Sequence, residues 1–356
     1  MNELQLNDLL LRVLDLGGSD LHLTVGVEPS VRVQGELKRL TEVPALTSAQ
    51  TKRLIYDILS HRQIETFERE LELDVAHAIP GVGRFRVNVF SQRDSIGAVL
   101  RTIPYDVVPL EDLDLPESVT SFADLPRGLV LVAGPTGSGK STTLAGLIDR
   151  INRTRTVHIM TVEDPIEFLH RHDRAIVNQR ELGEDTLSYA TALKQALRQD
   201  PDVILVGELR DLEAIQCAMT AAATGHLVFA SLHTQDATQT IEHIVDSFPE
   251  YQQVQARAQV SAALQGIVTQ QLVPTADGQR RVCAAEVLVV TAPVRTLLRE
   301  GKTHQLQSVM QSGARFGMQT LDQSLAELVR QGTVTLAAAE ERSPDPDALR
   351  RLVGPL

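Results

Sequence analysis

One segment of the sequence has the residue types and the spacing of a phosphate-binding loop. Residues 134–141 (Gly-Pro-Thr-Gly-Ser-Gly-Lys-Ser) satisfy the pattern G-x-x-x-x-G-K-[ST] at every fixed position. Glycines let backbone N–H groups face phosphate oxygens, Lys140 reaches the β- and γ-phosphates, and Ser141 offers a hydroxyl to Mg²⁺. The segment therefore predicts a nucleoside triphosphate site. The residues expected to contact the nucleotide are Gly134, Pro135, Thr136, Gly137, Ser138, Gly139, Lys140, Ser141 and Thr142.

Two glutamates follow apolar runs that we predict to be strands. Glu163 comes after 157–162, and Glu208 comes after 203–207. In open α/β sheets, ligands bind beyond the carboxyl ends of the strands. Hydrolysis needs one carboxylate that orients or deprotonates water and one acid on the Mg²⁺ side. Both glutamates are candidates for these roles. An acid after a strand can also simply cap the next helix, as we expect for Asp211.

Two histidines flank a third apolar run. His226 and His233 are seven residues apart, so on one straight strand they would lie about 23 Å apart and face opposite ways. His233 falls at the carboxyl end, where it could contact the γ-phosphate. His226 falls at the start of the strand, where a structural role is as well supported as a catalytic one.

Arginines alternate along a predicted strand of the N-terminal region. Arg84 and Arg86 share one face of this strand, and Arg93 and Arg101 follow. Most exposed arginine faces are merely solvated. In an oligomeric NTPase, however, arginines of a neighbouring subunit neutralise charge in the transition state. Both interpretations stay open from the residues alone.

The elements that must position these groups fall into two regions. Residues 1–103 mix amphipathic helices with alternating strands, and residues 104–126 carry four prolines and many acids, which is typical of a linker. Residues 127–342 alternate apolar strands with helices, which predicts an α/β domain with a largely parallel sheet and a helical C-terminal part. We expect 343–356 to be a frayed tail. The predicted strands of the second region are 129–133, 157–162, 203–207 and 227–231, and a hairpin signal at Asp277-Gly278 precedes a further apolar run at 282–290.

Composition excludes several classes of protein. The chain has 356 residues and a net charge of −12, with 3% aromatic residues, which argues against a nucleic-acid binder. Two cysteines cannot form a disulfide framework or a four-cysteine zinc site. The N-terminus lacks the features of a signal peptide, and no apolar run reaches the ~18 residues of a membrane span. We expect a cytoplasmic protein.

Several blocks of the sequence resemble the secretion-type ATPases, and among them the retraction ATPases of type IV pili. The resemblance covers about residues 5–335. Residues 134–141 resemble the family's Walker A motif, and 161–167 its Asp box. Residues 205–211 resemble its atypical Walker B motif, which has glycine where many NTPases have aspartate. Residues 225–234 resemble its His box, and 84–88 the arginine-bearing strand of its PAS-like N-terminal domain.

The resemblance implies a homohexameric ring of subunits with a PAS-like α+β N-terminal domain and a RecA-like P-loop ATPase domain. ATP and Mg²⁺ would bind between these domains, with Arg84 and Arg86 supplied from the N-terminal side. Glu163 would be the catalytic base, while Ser141 and Glu208 would hold Mg²⁺. The resemblance also implies catalytic roles for His233 and His226. The ring would work at the cytoplasmic face of the inner membrane, bound to a pilus platform protein there and to a paralogous pilus ATPase.

One block bears on the kind of work that the ring performs. Residues 293–302 resemble the retraction-specific helix, whose usual form is Ala-Ile-Arg-Asn-Leu-Ile-Arg-Glu; Val294, Thr296 and Leu298 depart from it. An ordinary amphipathic helix fits the periodicity equally well. Retraction is our first hypothesis. An accessory retraction paralogue, a pilus-assembly or type II secretion ATPase, and an ATP-gated scaffold with little hydrolysis remain the alternatives.

Overall fold

The chain divides into two compact units, Met1–Asp106 and Val107–Leu356. The structure is a computed structural model that describes residues 4–33, 35–103 and 107–354.

Within its described residues, the first unit has an antiparallel sheet of six strands with three helices. Its strand order is β3-β2-β1-β6-β5-β4, and its core includes Leu10, Leu21, Phe85 and Val87, all fully buried. Its elements in chain order are α1 (Leu6–Asp15), β1 (Asp20–Leu23), β2 (Ser30–Val33), β3 (Glu36–Arg39), α2 (Ser48–Tyr56), α3 (His61–Glu70), β4 (Glu72–Ile79), β5 (Gly83–Gln92) and β6 (Ser95–Ile103).

The second unit has a sheet of seven strands in the order β13-β12-β7-β11-β10-β8-β9, parallel except for the β12–β13 pair. Its elements are α4 (Glu117–Ser121), β7 (Gly128–Ala133), α5 (Lys140–Thr154), β8 (His158–Glu163), β9 (Ile176–Glu181), α6 (Tyr189–Ala196), β10 (Val203–Val206), α7 (Leu212–Ala223), β11 (Leu227–Leu232), α8 (Ala237–Asp246), α9 (Gln253–Ala263), β12 (Leu264–Pro274), β13 (Arg281–Val289), α10 (Ala292–Glu300), α11 (Leu306–Ser312), α12 (Leu321–Arg330), α13 (Leu336–Glu340) and α14 (Pro346–Val353).

The predicted fold class is confirmed: an α+β unit precedes an α/β unit with a largely parallel sheet. Every residue of β7, β10 and β11 is buried, because helices cover both faces of the sheet. This two-sided burial is why these strands are continuously apolar in sequence. Two strands of this sheet, β9 and β12, were not predicted.

The expectation of a linker over 104–126 needs correction. Residues 104–106 lie outside the described residues, and from Val107 onward the chain belongs to the second unit. It contains 3₁₀ turns at Leu110–Asp112 and Phe122–Asp124 as well as α4. Leu110, Val119 and Phe122 are buried in the core of that unit, so apolar burial orders a segment whose prolines suggested a linker.

The expectation of a frayed tail over 343–356 is wrong for most of its length. Asp345 accepts a hydrogen bond from the N–H of Ala348 and so caps α14, and Pro346 occupies its first turn. Leu349 is fully buried and Val353 is 8% exposed, so the helix packs into an apolar cluster. Residues 355 and 356 lie outside the described residues.

None of the helices within 4–33, 35–103 and 107–354 combines the length and the apolar character that crossing a bilayer requires.

Candidate functional site

The phosphate loop joins β7 to α5, as the sequence predicts. Gly134 has φ +141°, a conformation that side-chain-bearing residues rarely adopt. A Cβ at this position would also clash with the carbonyl oxygen of Gln270 and lie 2.6 Å from Ser138 Oγ. The loop therefore needs glycine here both for its conformation and for its close packing against β12.

Lys140 lies over the loop that precedes it. Its Nζ donates to the carbonyl oxygens of Gly134 and Pro135, at 2.8 and 3.0 Å. Burial lowers the pKa of Lys140, and the negative charges of Glu208 and Glu167 oppose this effect. The ammonium group is thus held above the backbone that would contact the phosphates.

A cavity of about 390 Å³ brings four predicted groups together. Ser141, Glu163, Glu208 and His233 all line it, together with most of the phosphate loop. They converge because β8, β10 and β11 pair in parallel, so that the residues at or just after the carboxyl end of each strand lie at one edge of the sheet.

Glu163 is a partly buried carboxyl group surrounded by neutral donors. Thr161 Oγ1 and Gln179 Nε2 donate to its Oε1 at 2.7 and 3.2 Å. Burial raises the pKa of Glu163 to about 7, although the hydrogen bonds from Thr161, Gln179 and the backbone of Glu167 lower it. A carboxylate with this proton affinity is suited to accept a proton from water near neutral pH.

Glu208 has basic partners instead. His233 Nε2 lies 3.0 Å from its Oε1, and Arg210 Nε donates to its Oε2 at 2.8 Å. His233 Nδ1 in turn lies 3.4 Å from Lys140 Nζ, and Arg210 Nη1 donates to Asp164 at 2.7 Å. A continuous chain of polar contacts therefore links the phosphate loop to the acidic segment after β8 through Glu208.

Gly207, in the position where many NTPases have aspartate, lies too close to its neighbours for a side chain. A Cβ there would lie 3.1 Å from the Cα of Glu163 and 3.3 Å from the hydroxyl of Tyr189. Its carbonyl oxygen also accepts a hydrogen bond from Ser231. Glycine therefore fits this position, and the first acid after β10 is Glu208.

The residues present fit a nucleotide with Mg²⁺. Ser138 is 3% exposed, and its Oγ has no hydrogen-bond partner among the described residues, so a ligand in the loop would satisfy it. Ser141 and Glu208 offer the hard oxygen donors that Mg²⁺ prefers. The described residues contain no group of three or more His, Cys, Asp or Glu side chains arranged to hold a metal ion. A site of one carboxylate completed by substrate phosphates and water is typical of Mg²⁺.

The structure does not bring His226 to the cavity. This residue precedes β11, at the opposite end of the strand from His233. Its Nδ1 lies 2.9 Å from the carbonyl oxygen of Ala221 and 3.3 Å from Thr224 Oγ1. These contacts close the turn between α7 and β11, so within the chain the structural role has the geometric support.

The two predicted arginines lie in the first unit, on β5. Arg86 is exposed, and its Nε lies 4.0 Å from Asp74, at the outer limit of an ion pair. Arg84 is partly buried. Their proposed action on the nucleotide remains a prediction.

Sequence reasoning missed several residues of the site. Tyr189, His170 and Arg281 line the cavity, and Gln179 hydrogen-bonds to Glu163. Burial lowers the pKa of His170 to about 4, so its ring is neutral at physiological pH. No local pattern marks these positions, because they reach the cavity through contacts between elements distant in the chain.

Comparisons with known proteins agree with this geometry. The sequence matches the family described as Type II/IV secretion system protein over residues 3–350. It is 48% identical over 331 residues to the type IV pilus retraction ATPase PilT of Pseudomonas aeruginosa, covering 93% of this chain and 96% of that protein. It is 41% identical over 350 residues to the type IV pilus ATPase PilU of the same species, covering 98% and 91%.

A solved structure extends the match to three dimensions. The crystal structure of the pilus retraction motor PilT with bound ADP has a TM-score of 0.91 and 48% sequence identity, covering 98% of this chain and 100% of that chain. The chain is a nucleotide-binding ATPase, and it belongs to the Type II/IV secretion system protein family.

Proposed function

We propose that this chain is a Mg²⁺-dependent ATPase whose hydrolysis of ATP powers type IV pilus retraction, and with it twitching motility. The observation that carries the proposal is the single cavity shared by the phosphate loop, Glu163, Glu208 and His233. Similarity to the retraction motor over nearly the whole chain supports the kind of work that the hydrolysis drives.

Each group in the cavity has a distinct task in this proposal. Ser141 and Glu208 hold Mg²⁺, which when bound neutralises charge on the transferred phosphoryl group. Lys140 binds the β- and γ-phosphates. Glu163 accepts a proton from the attacking water, and its raised proton affinity suits that step. His233 contacts both Lys140 and Glu208, so it can relay the loss of the γ-phosphate to Glu208.

The functional unit that we propose is a homohexamer. In this ring, Arg84 and Arg86 belong to the first unit of one subunit. They neutralise negative charge on ATP that is bound to the second unit of a neighbouring subunit. The support for this assignment is the resemblance of β5 to the arginine-bearing strand of the family. Movement between the two units of each subunit would convert hydrolysis into rotation of the ring.

Helix α10, which resembles the retraction-specific helix, supports retraction rather than assembly. Two of its departures from the usual form, Val294 and Leu298, are 0% and 1% exposed, so each exchanges one aliphatic core residue for another. Arg295 Nη1 donates to the carbonyl oxygen of Ser261 at the end of α9, which fixes α10 against that helix. Arg299 remains exposed and available to a partner.

We place the ring in the cytoplasm, at the cytoplasmic face of the inner membrane, where protein partners alone hold it. The first partner is the pilus platform protein, which returns pilins to the bilayer, and the second is a paralogous pilus ATPase. A net charge of −12 is unfavourable for direct binding to nucleic acid.

The alternatives differ in the work performed rather than in the site. An accessory retraction paralogue would have the same fold and cavity; the identity to a second type IV pilus ATPase, PilU, is 41% over 98% of the chain, against 48% to the retraction ATPase. A pilus-assembly or type II secretion ATPase would share the same cavity chemistry. An ATP-gated scaffold would bind the nucleotide but hydrolyse it slowly, so turnover by the purified protein separates it from the others.

The experiment that tests the proposal is a count of surface pili on cells that lack this gene. We expect an excess of pili and loss of twitching, reversed by the wild-type gene but not by the Glu163→Gln variant. Cells without pili would make the chain an assembly motor and contradict the proposal. An unchanged pilus number would favour the accessory paralogue or another secretion system.

A further inference from the structure

Tyr189 lines the cavity but has no role in the motifs described above. It is the first residue of α6, directly after the capping residue Ser188. The residue is 4% exposed and belongs to the same apolar cluster as Val162 and Val206. Its ring therefore packs beneath the ends of β8 and β10, the strands that deliver the two glutamates of the site.

The hydroxyl of Tyr189 lies at the junction of these two strands. A Cβ on Gly207 would lie 3.3 Å from this hydroxyl and 3.1 Å from the Cα of Glu163. Glu208 is the next residue after Gly207. The phenol is also close enough to Glu163, Glu208 and Asp164 for their charges to act on it. The hydroxyl thus faces the region between the proposed base and the Mg²⁺-side acid.

No hydrogen bond joins this hydroxyl to another described residue, and its oxygen is not among the fully buried unpaired atoms of these residues, so it is accessible from the cavity that Tyr189 lines. The rest of the side chain is buried, and a tyrosine that is otherwise buried normally has a hydrogen-bond partner for its hydroxyl. Burial and the neighbouring carboxylates raise the pKa of Tyr189, so the group keeps its proton at neutral pH. It is therefore a neutral donor at the cavity wall, and its partner must come from the contents of the cavity.

We propose that the Tyr189 hydroxyl positions the attacking water. The water accepts a hydrogen bond from the phenol and donates one to Glu163, which leaves its second lone pair free to face the γ-phosphorus. On attack, the water oxygen–phosphorus bond forms, the bond from phosphorus to the leaving ADP oxygen breaks, and one water proton passes to Glu163. Tyr189 keeps its own proton throughout.

The inference rests on the proposed hydrolysis with Glu163 as base, and it predicts a specific kinetic signature. Loss of the hydroxyl removes an interaction with water rather than with the nucleotide, so kcat falls while KM for ATP stays the same. One hydrogen bond of ordinary strength corresponds to a decrease in kcat of about three- to tenfold. A purely structural role of the ring would leave kcat unchanged in a variant that keeps the ring.

The test uses the purified full chain with Tyr189→Phe, which removes only the oxygen atom. Tyr251→Phe is the matched control, because Tyr251 lies in the same unit, is 83% exposed and does not line the cavity. We measure steady-state ATP hydrolysis, ADP affinity and the thermal unfolding midpoint. We expect a lower kcat for Tyr189→Phe alone. The KM for ATP, the ADP affinity and the unfolding midpoint should be the same in the wild type, Tyr189→Phe and Tyr251→Phe.

Four outcomes would overturn the inference. A wild-type kcat in Tyr189→Phe would exclude the hydroxyl from hydrolysis while the proposed function stands. A higher KM with weaker ADP binding would make it a nucleotide ligand, and a lower unfolding midpoint with a proportional loss of activity would make it structural. If the wild-type chain itself does not turn over ATP, the proposed function fails and the inference fails with it.

Discussion

Two glutamates in one cavity acquire different properties from their immediate neighbours. Glu163 accepts hydrogen bonds from the neutral groups of Thr161 and Gln179, and burial raises its pKa to about 7. Glu208 is instead paired with Arg210 and lies against His233. Such a difference in environment is how a site assigns proton transfer to one carboxylate and charge stabilisation to another.

The raised pKa of Glu163 predicts the pH dependence of hydrolysis. A general base works only when deprotonated, so kcat/KM for ATP should rise about tenfold per pH unit below pH 7 and level off above it. Steady-state hydrolysis between pH 5.5 and 8.5, at roughly constant ionic strength, measures this profile. Glu163→Gln should abolish turnover at every pH and leave ADP binding intact.

A matched control comes from another buried acid. Glu286 also has its pKa raised to about 7 by burial, but it accepts a hydrogen bond from the N–H of Ala237 and does not line the cavity. Glu286→Gln should therefore keep the wild-type profile of kcat/KM. A flat wild-type profile between pH 6 and 8, or substantial turnover by Glu163→Gln, would remove Glu163 from the role of base.

At the scale of elements, burial of a strand on both faces of the sheet decided whether that strand could be predicted from the sequence. Strands β7, β10 and β11 were predicted because continuous apolar runs are typical of a parallel sheet covered by helices. Strand β12 was missed because it carries polar residues that only tertiary contacts explain: Gln270 is 2% exposed, and its amide donates to Thr143 Oγ1 on α5.

The residues of the site divide in the same way, into those that a local sequence pattern predicts and those that only tertiary contacts explain. Glu163, Glu208 and His233 follow predicted parallel strands, so the sequence alone was enough to infer that they meet at one edge of the sheet. Tyr189 begins a helix, and no spacing rule connects its hydroxyl to Gly207. Contacts of this kind depend on how a helix packs across strand ends, which a local pattern does not specify.

Helix α14 carries a prediction about stability. Leu349 is fully buried in the cluster that α14 forms with Leu325 and Val329 of α12, whereas Leu352 of the same helix is 37% exposed. Leu349→Ala should lower the free energy of unfolding of the second unit by about 2–5 kcal/mol, because it leaves a cavity. Leu352→Ala should cost less than about 1 kcal/mol.

Urea unfolding of both full-length variants, followed by far-UV circular dichroism, measures this difference. Equal midpoints for the two variants would mean that α14 does not contribute its buried face to the core, and the sequence-based expectation of a frayed tail would be restored.

At the scale of the whole molecule, the proposed chemistry is divided between the two units. The second unit holds the phosphate loop and the acids, while the arginines predicted to complete the site, Arg84 and Arg86, belong to β5 of the first. A ring in which one subunit supplies the arginines and another the acids would make hydrolysis a property of the assembly. Two defective variants could then restore activity when they assemble together.

A site divided between subunits predicts complementation between Arg86→Ala and Glu163→Gln. Arg86 is exposed on the sheet of its own unit, so its removal should lower hydrolysis at least about tenfold without unfolding the protein. If the arginine acts on a neighbouring subunit, an Arg86→Ala subunit keeps Glu163 and receives Arg86 from a Glu163→Gln neighbour. Mixed assemblies should then hydrolyse ATP faster than the sum of the two variants measured separately.

The control is Arg69→Ala, which should keep full activity. Arg69 is an exposed arginine of the same unit and is paired with Glu70. Rates that merely add would confine the arginine to its own subunit, and a full-rate Arg86→Ala would return that face of β5 to a solvated surface.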